Sequence, residues 1–432
     1  MTILQSFASG KWVSSSSGLK PLKSAVTGEI VAQIGSGDLD FSAMADHARQ
    51  VSGPALRALT FHKRAAKLKA LAQYLNERRD PLYELSYETG ATKADSMIDI
   101  DGGIGTLFVY ASKGRRELPD DVLLVDGAVE QLSKSGAFLG QHVATSLQGV
   151  AVHINAFNFP VWGMLEKLAP TLLAGMPAIV KPASATAWLA EAAFRMIVES
   201  GCLPEGAVQF VAGGTGDLLD RLGGQDVVSF TGSASTAAML RANRNLIENS
   251  VRFIAEQDSL NATVLGPDTA PETPEFGAFI REVHREMTAK AGQKCTAIRR
   301  IIVPEDRRDA VIDAVSDRLA KTAIGDPRDE NVRMGALASL AQREDVLAKA
   351  AEIGTEARLV YGDQATLFPR GADKEQGAFV SPMLFSLDDP DAAEKAHTVE
   401  AFGPVATVMG YRDLSHAFRL ANRGKGSLVA SV

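Results

Sequence analysis

Only two cysteines, Cys202 and Cys295, occur in the 432 residues, too few for a disulfide framework to underlie the fold. The seven histidines form neither an HExxH pair nor a Cys/His cluster of zinc spacing, so the sequence offers no metal site. Aromatic residues are sparse at 6%, and 45 Lys and Arg are outnumbered by 52 Asp and Glu, for a formal charge of −7. That balance excludes nucleic acid or an anionic membrane surface as a general partner, while leaving room for a local basic patch around an anionic ligand. Long apolar runs are missing too. The stretch from Leu168 to Val180 is interrupted by Pro170, Gly175 and Pro177 and falls short of the ~20 residues a spanning helix needs. Met1 to Trp12 lacks a basic segment followed by an apolar one, so no secretory signal is visible and a cytoplasmic protein is expected.

What remains is ordinary globular composition, 46% hydrophobic and 22% charged, in a chain long enough for two or three units at ~150 residues each. From Ala43 to Glu88 apolar residues recur at helical spacing, with breaks expected at Gly53-Pro54 and Asp80-Pro81. The middle alternates. Strands are expected over 150–154, 178–181, 208–212, 227–230 and 251–255, with helices over 165–173, 187–200, 217–222 and 234–242 between them. Such βαβ alternation implies an α/β fold, a mostly parallel sheet of dinucleotide-binding type whose ligand sits beyond the carboxyl ends of the strands. After Ser259 a second unit is expected, with helices over 276–291 and 308–323, a loop carrying Cys295 and a strand over 300–303. Residues 122–146 read as a two-stranded excursion suited to pairing with a neighbouring subunit.

Candidate chemistry gathers in the loops. Gly292-Gln293-Lys294-Cys295-Thr296 sets a cysteine after a helix and beside basic residues that favour a thiolate, with a small buried hydrophobe as the alternative. Cys202, before Pro204, carries only that second reading. In Asn155-Ala156-Phe157-Asn158-Phe159-Pro160, the Asn158 amide lies between a strand and a helix. There it either donates to a developing oxyanion or caps the helix. Lys181-Pro182-Ala183-Ser184 ends a strand. Lys181 there reaches ribose or phosphate oxygens or is merely solvated, and Ser184 stands where an acidic residue would repel a 2′-phosphate. Phe230-Thr231-Gly232-Ser233-Ala234 presents Gly232, Ser233 and backbone N–H groups at a helix start, for a pyrophosphate or as a plain cap. Gly213-Gly214-Thr215-Gly216 is glycine-rich but does not complete GxGxxG. Glu256 at a strand end is a general base or a surface carboxylate. In Glu400-Ala401-Phe402-Gly403-Pro404-Val405, Glu400 offers a carboxylate for ribose hydroxyls, and Phe402 is an aromatic face for a planar ring or a core residue.

In this order and spacing, the NFP turn at Asn158, Lys181, the FTGS turn, Glu256, the GQxC loop and EAFGPV make the chain resemble the aldehyde dehydrogenase superfamily over essentially its whole length. The stretches Asp99 to Leu107, Arg116 to Asp121 and Val152 to Pro160 are most similar to the branch that oxidises CoA-linked semialdehydes in aromatic degradation, the phenylacetate ring-opening type first and the benzoate type second. The resemblance implies a Rossmann-type cofactor domain over residues 1–124 and 148–255, an α/β catalytic domain over 256–432 and a β-arm for homo-oligomerisation over 125–147. It also implies roles. Cys295 attacks the aldehyde, Asn158 holds the oxyanion, Glu256 activates water, and Lys167 assists proton transfer. Lys181, Ser184, Gly232, Ser233, Glu400 and Phe402 hold NADP, with NAD possible. The expected partner is a small-molecule substrate, a CoA thioester semialdehyde. A CoA-acylating dehydrogenase and a non-catalytic dinucleotide-binding scaffold are the competing readings; a glutamate base opposes the first, and retention of Cys295 with Asn158 opposes the second. Two features depart from the family pattern. Glu256 is followed by Gln257-Asp258-Ser259 in place of an ELGGK-type turn, and the ending Gly426 to Val432 resembles an internal strand, which implies further chain.

Overall fold

Residues 2–432 are described by the computed structural model, and the βαβ alternation becomes the parallel part of a seven-stranded sheet. Its order is Arg252–Glu256, Val227–Thr231, Ala151–Ile154, Ala178–Lys181, Val208–Phe210, then Gln5–Ala8 and Lys11–Ser14. The first five run parallel and the last two attach antiparallel. Ala151–Ile154 is first of the five in the chain yet central in the sheet. The chain therefore winds outward from it in both directions, which opens a crevice at the carboxyl ends between it and Val227–Thr231. Register levels those ends, because Ile154 lies opposite both Lys181 and Phe230, and Thr231 lies opposite Glu256. All four residues of Ala151–Ile154 are buried, as expected of a central parallel strand covered on both faces.

The helix Pro160–Leu173 follows that strand after a five-residue loop, and Val161, Met164, Leu165, Leu168, Ala169 and Leu172 form its buried stripe. Proline at the first position suits a helix start, where no N–H partner is needed. The next N–H groups are met from outside the helix: the Asp99 carboxylate accepts from Val161 N at 3.0 Å and Trp162 N at 2.7 Å. Two glycines let its helix approach so closely. A Cβ on Gly102 would stand 2.6 Å from the Trp162 ring, and one on Gly103 would stand 2.9 Å from Trp162 Cα. The Asp99 to Leu107 stretch that carried the branch resemblance is thus a helix–helix contact with a buried cap. Asp99→Ala is expected to destabilise this unit by about 1–2 kcal/mol, the usual cost of losing a helix cap, read as a lower urea midpoint with unchanged slope.

The second unit has a six-stranded sheet in the order Arg358–Tyr361, Met383–Leu387, Val405–Tyr411, Arg300–Pro304, Ala262–Val264, Ala430–Ser431, parallel except for the first pair. Helices Leu340–Ile353 and Leu414–Asn422 contribute Val346, Ala350 and Leu420 to one apolar cluster against it. Helices Pro274–Thr288 and Arg308–Leu319 contribute Ile280, Val283 and Val315 to another. Arg300 is fully buried inside this unit, donating to Leu260 O, Leu420 O and Ala421 O, each at 2.8 Å. It thereby satisfies carbonyls at a helix C-terminus, where a cation is favoured by the helix dipole, although burial pushes its pKa down to about 10.

Two features differ from the sequence expectations. No break occurs at Gly53-Pro54: a π-helical turn, Ala48–Ser52, joins Phe41–His47 to Gly53–Arg57. Its wider hydrogen-bond spacing accommodates a proline without an N–H. Residues Lys23–Val31 and Glu84–Ser96 group with the second unit, which resumes at Asp258, while the first comprises residues up to Leu22, Ala32–Tyr83 and Met97–Gln257. The cause is non-local pairing, with Ala25 N donating to Glu88 O and Ala378 N to Ala25 O, both at 2.8 Å. The excursion is an antiparallel hairpin of Leu123–Gln131 and Leu139–Thr145, its register shifted around Gly127 at φ +78°. It leaves Val125, Val129, Leu139 and Val143 exposed.

Candidate active site

In the first unit, the sheet's carboxyl edge gathers most of the residues that the sequence singled out. Asn158 is buried in the loop leaving the central strand, and Thr186 Oγ1 donates to Phe157 O at 3.1 Å to fix that loop. The helix start just after Asn158 takes its side-chain acceptor from Asp99. Lys181 ends its strand half-buried, and burial lowers its pKa, a state that favours an anionic or hydroxyl partner. Ser184 opens a short 3-10 turn and is exposed. Ser233 caps Ala234–Arg241, its Oγ accepting from Thr236 N at 3.3 Å. Gly232 has no room for a side chain, since a Cβ would stand 2.6 Å from the Phe230 ring.

Glu256 closes the edge strand, half-buried, with its backbone carbonyl accepting from Gly232 N at 3.1 Å. Its side chain faces a cleft that is also lined by Tyr110, His153, Trp162, Lys167 and Thr231. Lys167 Nζ lies 3.2 Å from Glu166 Oε1, and the lysine side chain is only 11% exposed. Beside it, His153 Nε2 and Thr171 Oγ1 are 3.1 Å apart. Burial first, then the Lys167 cation, pushes the His153 pKa down to about 3, so this imidazole is neutral at pH 7.

In the second unit, the helix Pro274–Thr288 ends in an arch of three consecutive left-handed residues, Lys290 at φ 53°, Ala291 at 50° and Gly292 at 68°. This conformation is costly for the two residues that carry a Cβ, and the surroundings impose it. The Asp95 carboxylate accepts from Lys290 N at 2.6 Å, and Lys290 Nζ donates to Thr89 Oγ1 at 3.1 Å. Gln293 donates to Lys290 O and accepts from Ala338 N, both at 2.9 Å. At Gly292 a Cβ would meet Gly403 O at 2.3 Å, so glycine is obligatory there. Cys295 emerges half-buried from this arch, with its carbonyl held by Asn261 Nδ2 at 2.9 Å. Cys202 by contrast is a half-buried thiol, its Sγ donating to Ser200 O at 3.6 Å. Glu400 is buried, Oε2 accepting from Ser259 N at 3.1 Å, and desolvation raises its pKa against the opposing pull of Arg299. Half-buried Phe402 has the Arg299 guanidinium 5.4 Å from its ring centroid.

Three contributors escaped the sequence reading. Asp99 and Asp95 anchor a helix start and a loop far away in the chain, and the local pattern does not record those distant partners. Arg299 was open to detection: two arginines stand inside the apolar run Ala297 to Val303, and a charge there demands a dedicated partner. Lys294, the basic residue beside the cysteine, is committed elsewhere: its Nζ lies 2.6 Å from the buried Glu286 carboxylate. Among the described residues no cluster of three or more metal-ligating side chains forms, and no helix is long and apolar enough to cross a membrane.

The doubly wound sheet of the first unit is of dinucleotide-binding type, and the second unit carries a cysteine on a clamped loop. Residues 12–432 match the aldehyde dehydrogenase family, and the chain belongs to it. It is 46% identical over 430 residues to the 3,4-dehydroadipyl-CoA semialdehyde dehydrogenase of Aromatoleum evansii, a match spanning 99% of this chain and 83% of that protein. Alpha-ketoglutaric semialdehyde dehydrogenase of Bacillus subtilis is 27% identical, over 99% of this chain and 84% of that one. In fold, the chain is similar to betaine aldehyde dehydrogenase of Staphylococcus aureus, solved with NAD+, with a TM-score of 0.83 at 23% identity, covering 98% of this chain and 81% of that one.

Proposed function

We propose that this chain oxidises a CoA-linked semialdehyde to the acid with NADP, in aromatic degradation of the phenylacetate type. Cys295 carries the reading: a half-buried thiol on an arch clamped from four sides is a nucleophile built for one position. The CoA-linked substrate class is supported by the 46% identity to a dehydrogenase named for such a semialdehyde. That name also favours a second reading, the benzoate-type substrate 3,4-dehydroadipyl-CoA semialdehyde.

The chemistry assigned to the chain is covalent. The Cys295 thiolate attacks the aldehyde carbonyl, and the Asn158 amide with the Cys295 backbone N–H stabilises the oxyanion of the thiohemiacetal. The dinucleotide supplies the hydride acceptor. Glu256 then takes a proton from the water that attacks the thioacyl carbonyl, and Lys167 assists the proton's departure. The acid leaves and the thiolate is restored. Lys181, Ser184, Gly232, Ser233, Glu400 and Phe402 are assigned to the dinucleotide. Two observations fit that group: Lys181 is held partly out of water, and Glu400 Oε1 is buried without a hydrogen-bond partner, ready for a ribose hydroxyl. The exposed apolar residues of the Leu123–Thr145 hairpin support a homo-oligomer joined through that arm, and a cytoplasmic location accompanies the reading.

Steady-state kcat/KM with the two CoA semialdehydes, acetaldehyde and benzaldehyde, each with NADP+ and NAD+, tests the proposal. A preference for the CoA thioesters and for NADP+ is expected. Equal use of free aldehydes, or a clear NAD+ advantage, contradicts it. Ser184→Glu should move the cofactor preference towards NAD+ by about tenfold or more, since a carboxylate there opposes a 2′-phosphate, and ~1.4 kcal/mol suffices for that factor.

A further inference from the structure

We propose that Arg299 is a positioning residue linking the Glu400–Phe402 segment to the nucleophile loop, so that filling the dinucleotide site changes the reactivity of Cys295. The inference rests on the assignments of Cys295, Glu400 and Phe402 made above. Arg299 is buried, and its guanidinium is shared among segments distant in sequence. Nη1 donates to Gly403 O at 2.7 Å, while Nη2 donates to Gly292 O at 2.9 Å and Lys294 O at 3.4 Å. Gly292 and Lys294 flank the turn that delivers Cys295. The Nε edge faces Glu400 Oε1 at 3.5 Å, an ion-pair contact in which neither atom makes a hydrogen bond. Phe402 packs on the same cation.

This arrangement is asymmetric. Glu400 Oε2 is committed to Ser259 N, whereas Oε1 faces Arg299 Nε at 3.5 Å without a hydrogen bond. A ribose hydroxyl donating to Oε1 takes up the oxygen that attracts Nε and weakens that attraction. The guanidinium is planar and rigid, so Nε cannot shift without carrying Nη1 and Nη2 with it. The carbonyls of Gly292 and Lys294 must then follow or lose a charge-assisted bond in a buried setting, which costs more than a small movement. Burial lowers the Arg299 pKa, and the charges of Glu400, Glu286 and Cys295 pull it back up. A second strut joins the same two groups. Ser259 Oγ donates to Asn261 Oδ1 at 2.5 Å, and Asn261 Nδ2 holds Cys295 O. That strut contains no unpartnered atom, so it is assigned to holding the loop rather than relaying the change.

The test is the rate of iodoacetamide alkylation of Cys295, read by mass spectrometry of its peptide in the full chain with and without saturating NADP+. In the unmodified protein the two rates should differ fivefold or more, the lower range of coupling between linked sites. In Arg299→Lys, which keeps the charge but cannot bridge three carbonyls, the ratio should fall to within about twofold of one, while fluorescence titration still shows NADP+ saturating the protein. An unchanged ratio in Arg299→Lys, or no response in the unmodified protein, overturns the inference. Should Arg299→Lys not fold, Glu400→Gln removes the charge opposite Nε from the other side. It should collapse the ratio at saturating NADP+, and a retained ratio there also overturns the link. Failure of the underlying reading is separate: it shows as Cys295→Ala turning over, or as NADP+ affinity unmoved in Glu400→Gln.

Discussion

Cys295→Ala is expected to lower dehydrogenase turnover by a factor on the order of 10⁴ or more, the scale seen when a covalent nucleophile is removed. The loss should be chemical. The arch is held through Lys290 N, Gln293, Gly292 O and the Cys295 carbonyl, none of which uses the thiol, so the urea midpoint and NADP+ affinity should stay close to those of the unmodified protein. Turnover within tenfold of normal would remove Cys295 from the mechanism. Cys202, with its Sγ turned to Ser200 O, offers no substitute.

Glu256→Gln separates two steps that Cys295→Ala removes together. Hydride transfer requires the thiohemiacetal, whereas release of the acid requires a base for water. A pre-steady-state burst of reduced cofactor should therefore persist while steady turnover falls by ~10² or more, the usual contribution of a general base. The substitution is close to isosteric. It sits at the end of an edge strand whose backbone bond to Gly232 does not involve the carboxylate. Normal turnover would show that Glu256 is not the base, and the search would move to Lys167.

Much of the first unit was legible because its signals are local. Strand and helix periods alternate from Val150 onward, and the strands that result end within one or two residues of their expected positions. The register that sets Thr231 opposite Glu256, one residue beyond the level of Lys181, follows from such a sheet. Less legible were the features made by contacts across the chain. Lys23–Val31 and Glu84–Ser96 join the second unit through partners hundreds of residues away, and periodicity does not record that. Lys294 is the cation beside the cysteine in sequence, yet Glu286, eight residues earlier, takes its charge. The left-handed arch at Lys290 and Ala291 defies residue preference altogether, because neither type favours that conformation and contacts from Asp95, Thr89 and Gln293 hold it there.

The central claim is that oxidation proceeds through an acyl group on Cys295. Its most direct test is rapid acid quenching of Glu256→Gln after one turnover with a CoA semialdehyde and NADP+, followed by mass spectrometry of the proteolytic peptides. The account predicts near-stoichiometric acylation of the peptide carrying Cys295, with a mass gain equal to the substrate aldehyde less two hydrogens. A full burst of reduced cofactor with that peptide unmodified, or with the acyl group on another residue, would contradict it.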